Sequence, residues 1–84
     1  MRVAFNRQAL KALAGLQPAR RTQIRDAIGH VAADVRAPNN NLRPLAGVPD
    51  GYRLRVGQWR VSFTVAADTL EVFEIAARGS AYRW

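Results

Sequence analysis

The stretch YRLRVGQWRVSF, residues 52–63, leaves the chain few ways to fold. Tyr52, Leu54 and Val56 alternate with Arg53 and Arg55; then Trp59, Val61 and Phe63 alternate with Arg60 and Ser62. Period-two alternation on both sides of a two-residue loop with a leading glycine signals a half-buried β-hairpin. With Gly57 and Gln58 as the loop, Val56 pairs with Trp59, Arg55 with Arg60, Leu54 with Val61 and Arg53 with Ser62. One face of the hairpin is then apolar and must be covered. The other gathers Arg53, Arg55 and Arg60, and the hairpin holds no acid to offset them. Like charges directly opposite across a strand pair destabilise it by roughly 0.2–1 kcal/mol. Such a guanidinium cluster suits a phosphate, which arginine grips through two parallel hydrogen bonds. A solvated polar face is the plainer alternative.

The remaining elements follow from period and punctuation. MRVAF is a β-type run with Val3 and Phe5 on one side. Asn6 is placed to cap a helix over residues 7–16, with Leu10, Leu13 and Ala14 as its apolar stripe. Pro18 opens a second helix reaching about residue 35, along which Ile24, Ala27, Ile28, Val31 and Val35 keep the 3.6-residue period. APNNNLRPLAGVPDG reads as one long irregular segment. After the hairpin, AAD at 66–68 turns the chain into a last strand over residues 69–77. The expected class is α+β, in the order β-α-α-β-β-β. An N-terminal helical hairpin packs on one face of a mainly antiparallel four-stranded sheet, and the other face stays open. No repeat or linker divides residues 1–84, so a single domain is expected.

Charge narrows the partners. Twelve arginines and one lysine face six acids, for a formal net charge of +7. That excess attracts a polyanion, whether nucleic acid, anionic membrane or acidic protein. The chain lacks cysteine, which excludes disulfides and thiolate metal sites and is compatible with a reducing compartment. Arg2, Asn6 and Arg7 interrupt the apolar run that a signal peptide would need, and no segment is long enough to span a bilayer.

The tail RGSAYRW places Tyr82, Arg83 and Trp84 shortly after Arg78. A phosphate-binding arginine near an aromatic platform is a common grip on single-stranded RNA; an aromatic folded back over the core is the alternative, weightier for Trp84 than for Tyr82. His30, the one histidine, falls off the apolar stripe of the second helix and reads as a surface residue. Glu71 and Glu74 have no histidine near them in sequence, so neither a metal nor another cofactor is expected. Arg20 and Arg21 begin the second helix with Arg25 close behind, as a solvated face or as contacts to RNA phosphates.

LAGVPDGYRLRVGQWRVSFTV, followed by LEVFEIAARGSAYR, resembles the RelE/ParE superfamily of bacterial toxins, the toxin halves of type II toxin–antitoxin pairs. The resemblance implies the same β-α-α-β-β-β domain and, for a RelE-type member, a ribosome-dependent endoribonuclease. Such an enzyme cuts mRNA in the A site by deprotonating a ribose 2′-hydroxyl that attacks the adjacent phosphate. By position, the resemblance makes Arg53, Arg60, Arg78 and Tyr82 catalytic, with Arg55 and Arg83 binding RNA; Arg20 and Arg21 join the RNA-binding set from their charge alone. Arg60 and Arg78 would hold the phosphate and stabilise its developing charge, and Tyr82 would stack on or orient the nucleotide. RelE carries lysines where this chain has Arg53 and Arg55, and some relatives have a histidine where Ala77 stands. The implied partners are a cognate antitoxin, the ribosome and mRNA, in the cytoplasm and away from membranes. The toxin alone would be a monomer, and with its antitoxin a hetero-oligomer. Two other readings stay open: a ParE-like inhibitor of DNA gyrase, and a non-catalytic basic module that binds nucleic acid or an acidic partner.

Overall fold

The computed structural model describes residues 1–77. Its elements are β1 (Arg2–Phe5), α1 (Arg7–Ala14), α2 (Pro18–Ala33), β2 (Leu42–Pro44), β3 (Gly51–Val56), β4 (Trp59–Ala66) and β5 (Thr69–Ala77). The strands form one sheet in the order β1-β5-β4-β3-β2, antiparallel except for the parallel β1–β5 pair. The expected class therefore holds, with five strands rather than four.

The added strand, β2, lies inside the segment expected to be irregular. Leu42, Arg43 and Pro44 pair with Leu54, Arg53 and Tyr52. Three residues are too few to reveal an alternation. Pro44 is tolerated on this outer strand because no ladder bond there needs its missing N–H.

Asn6 caps α1 as expected, its Oδ1 accepting from the Ala9 N–H at 2.9 Å. The buried stripe of α1 keeps Leu13 from the expected set but not Leu10 or Ala14. Ala9 and Leu13 are buried with Ala12 and Leu16 packed beside them, whereas Leu10 is 50% exposed and Ala14 is exposed. Alanines and leucines share the inward face, since only Asn6 separates β1 from the helix, which is tied to β5. The helix also stops at Ala14, with the Gly15 N–H bonding back to Lys11 and Ala12 carbonyls. In α2, which opens at Pro18 and ends at Ala33, Ile24, Ile28, Val31 and Ala32 are buried.

These helical side chains meet Leu54 and Val56 of β3, Val61 and Phe63 of β4, and Leu70, Val72 and Ile75 of β5 in one apolar cluster. Tyr52 stacks on its cross-strand neighbour Phe63 with ring centroids 5.6 Å apart. Both helices thus cover one face of the sheet and leave the other free of helical cover among the described residues.

Candidate nucleic-acid interface

The hairpin register is the one its two-residue loop implies. Val56 pairs with Trp59, Arg55 with Arg60, Leu54 with Val61 and Arg53 with Ser62. Gly57, with φ +59, takes the left-handed conformation required at the first loop position. Leu54, Val56, Val61 and Phe63 are buried against the helices, so strand alternation sends Arg53, Arg55, Arg60 and Ser62 to the uncovered face.

A fourth arginine joins them. Because Arg43 pairs with Arg53, β2 adds its guanidinium to the same face. Sequence reasoning missed this residue, since only a recognised strand at 42–44 would have given Arg43 a side. On the far flank β5 contributes Glu74 opposite Ser62 and Ala76 opposite Arg60. Two rows therefore cross the sheet: Arg43, Arg53, Ser62 and Glu74 in one, Arg55, Arg60 and Ala76 in the next.

Arg60 sits deepest, at 1% exposed, with Ser62 also buried and Arg53 and Arg55 half-buried at its sides. A buried cation needs hydrogen bonds and counter-charge to be tolerated. None of Arg43, Arg53, Arg55, Arg60 and Glu74 lacks an interacting partner. Even so, Nε and Nη2 of Arg60 are buried nitrogens that make no hydrogen bond. Guanidinium groups gathered in adjoining rows around a buried arginine are chemistry suited to binding a phosphate and stabilising charge on it.

The other sequence candidates fall elsewhere. Arg20 and Arg21 stand on α2, in the helical layer. Arg20 Nη1 donates to Gln23 Oε1 at 2.6 Å near the hairpin tip, and Arg21 Nη2 donates to the Leu16 carbonyl at 3.2 Å. The Arg25 guanidinium lies over the Phe5 ring at 5.8 Å. His30 is exposed on α2, as expected, and lines a groove of about 390 Å³ with Gln23, Asn39, Asn41 and Arg55 at the outer edge of β3. Arg78, Tyr82, Arg83 and Trp84 lie outside the described residues. Among the described residues no group of three or more His, Asp or Glu side chains could hold a metal ion, and no helix is long and apolar enough to cross a membrane.

No protein-family model matches the chain, and no curated protein matches it in sequence. Solved structures do. A chain of the intact Escherichia coli RelBE toxin–antitoxin complex is 25% identical, with 90% of this chain and 94% of that one covered and a TM-score of 0.75. A chain of the archaeal RelE–RelB complex from Pyrococcus horikoshii is also 25% identical, over 95% of this chain and 97% of that one, with a TM-score of 0.79. The isolated E. coli RelE toxin is 21% identical over 90% of this chain and 82% of that one, with a TM-score of 0.76. The resemblance first read from the hairpin and tail thus extends over the fold.

Proposed function

Taking the RelE fold as the premise, we propose that this chain is the toxin of a toxin–antitoxin pair and acts as a ribosome-dependent mRNA endoribonuclease that inhibits translation. One observation carries the reading: the register that sets Arg43, Arg53 and Arg55 around a buried Arg60 on the helix-free face. Four cations converging on one surface repel each other in isolation, and an RNA backbone supplies the counter-charge that makes the convergence useful.

In this mechanism Arg60 binds the scissile phosphate and stabilises the negative charge added in the transition state, with no metal involved. Arg53 and Arg55 hold the adjoining backbone. By analogy with RelE-type toxins, Arg78 acts on the phosphate and Tyr82 on the nucleotide base. Arg83 adds a further phosphate contact, and Arg20 and Arg21, in the helical layer, reach phosphates of ribosomal RNA and not the bound message. The working place is the cytoplasm, where ribosomes are. Outside translation, the excess positive charge is covered by an antitoxin with an acidic segment that orders on binding.

The test is cleavage of mRNA on programmed ribosomes by the purified chain. A cut within the A-site codon is expected, and Arg60→Ala should slow it about 10²–10³-fold, the usual cost of one charge-stabilising donor. Intact mRNA together with inhibited gyrase supercoiling would move the chain to the ParE-like reading. Binding of RNA without either effect would leave only a basic binding module.

A further inference from the structure

Unbroken alternation along β5 would bury Glu74. Leu70 and Val72 are fully buried beneath the helices, and the residue two places beyond Val72 would share their face. Instead the β4–β5 register shifts: Phe63 pairs with Val72 but Ser62 pairs with Glu74, so Phe73 is an extra residue on β5. A one-residue bulge reverses the facing of everything after it. Ile75, at 2% exposed, enters the core in place of Glu74, and Glu74 comes out half-buried beside Ser62.

The bulge is held from outside by the start of α1. Asn6 Nδ2 donates to the Phe73 carbonyl at 3.1 Å, and the Ile75 N–H donates to Gln8 Oε1 at 3.4 Å. Two side chains thereby continue, along β5, the edge that β1 leaves at Phe5. Three elements cooperate to deliver one carboxylate to the arginine face. Its neighbours there are Ser62 directly opposite, Arg53 beyond it in the same row, and Arg60 on the diagonal. Diagonal neighbours lie about 7–8 Å apart, within reach of long side chains. Glu71, the other acid of β5, is exposed and lies one row further from Arg60, opposite Thr64.

We propose that Glu74 is the proton acceptor of this site, taking the proton of the ribose 2′-hydroxyl in an RNA whose phosphate Arg60 holds. This rests on the ribonuclease reading and supplies what the arginines lack, since a guanidinium stays protonated and makes a poor base. The O2′–H proton passes to the Glu74 carboxylate, the O2′–P bond forms and the P–O5′ bond breaks. The departing 5′ oxygen takes a proton from water. The products are a 2′,3′-cyclic phosphate and a 5′-hydroxyl. Ser62 and Arg53 orient the carboxylate, and Gln8 and Asn6 fix the backbone that carries it.

Single-turnover cleavage of ribosome-bound mRNA, followed across pH, separates the outcomes. Glu74→Gln should slow cleavage about 10²–10⁴-fold while ribosome binding stays within about twofold. Wild-type cleavage should lose rate toward acid pH, as a carboxylate base requires, and Glu74→Gln should abolish that dependence. Glu74→Asp, a second variant that keeps the carboxylate, should cleave slowly and retain the acid limb. Equal rates for the wild type and Glu74→Gln, with Arg60→Ala still impaired, would overturn the assignment and leave the ribonuclease reading standing. An acid limb that survives Glu74→Gln but vanishes in His30→Ala would overturn it too. Absence of wild-type cleavage would remove the ribonuclease reading and this proposal together.

Discussion

Asn6 and Phe73, 67 positions apart, are joined by a hydrogen bond of 3.1 Å from the Asn6 Nδ2 to the Phe73 carbonyl. The same side chain caps α1 through Oδ1, and its backbone N–H donates to the Val72 carbonyl at 2.9 Å. One residue therefore starts a helix, ends a strand pairing and holds the bulge that brings Glu74 to the arginine face.

Separate replacements distinguish these duties. Asn6→Asp keeps an oxygen for the cap and loses the Nδ2 donor, whereas Asn6→Ala loses both. Loss of the cap alone costs about 0.5–2 kcal/mol. Asn6→Ala should therefore lower the urea midpoint more than Asn6→Asp. Both variants should speed amide exchange at residues 73–75.

The two hairpin loops differ in one respect that stability measurements can read. Gly57 and Ala67 both adopt left-handed backbone, at φ +59 and +53. A side chain in that region costs about 1–2 kcal/mol, partly offset in a glycine variant by its freer unfolded chain. Ala67→Gly should raise stability by about 0.5–1 kcal/mol. Gly57→Ala should lower it by about 1 kcal/mol through backbone strain alone, since its new β-carbon would sit an ordinary 3.6 Å from Arg20 Nη1. Thermal melts of both variants check the opposite signs.

Gly51 is required for space. A β-carbon there would lie 2.6 Å from Val48 Cγ1 and 2.9 Å from the Val48 carbonyl oxygen. Gly51→Ala should cost about 1–3 kcal/mol, the usual range for overpacking. Adding Val48→Ala should recover only part of the loss, because Val48 Cβ, at 2.8 Å, and the carbonyl remain in the way. Denaturant titration of the single and double variants measures the difference.

Arg43 should behave as a phosphate contact. Arg43→Ala is expected to weaken binding to single-stranded RNA evenly across sequences. The slope of log affinity against log salt should fall by about 0.7, the value for one phosphate on a single strand. Fluorescence titrations at several salt concentrations give that slope, and an unchanged slope would remove Arg43 from the interface.

The hairpin was legible because its information is local. Alternation and a leading glycine set the pairing of Arg55 with Arg60, and burial of the apolar partners then sorted the faces without reference to distant residues. The helix cap at Asn6, the proline start of α2 and the class of the fold were readable for the same reason. What could not be read rests on contacts between remote positions. β2 exists because three residues of a proline- and asparagine-rich segment find the outer edge of β3, and that pairing gave Arg43 its side. That Leu10 and Ala14 stay outside the core, while Leu13 enters it as expected, followed from how α1 is tied to β5. The bulge at Phe73 leaves no local pattern, because an uninterrupted strand and a bulged one differ only in which neighbours satisfy the backbone. Tertiary hydrogen bonds from Asn6 and Gln8 decided that question, and with it whether Glu74 faced the core or the arginines.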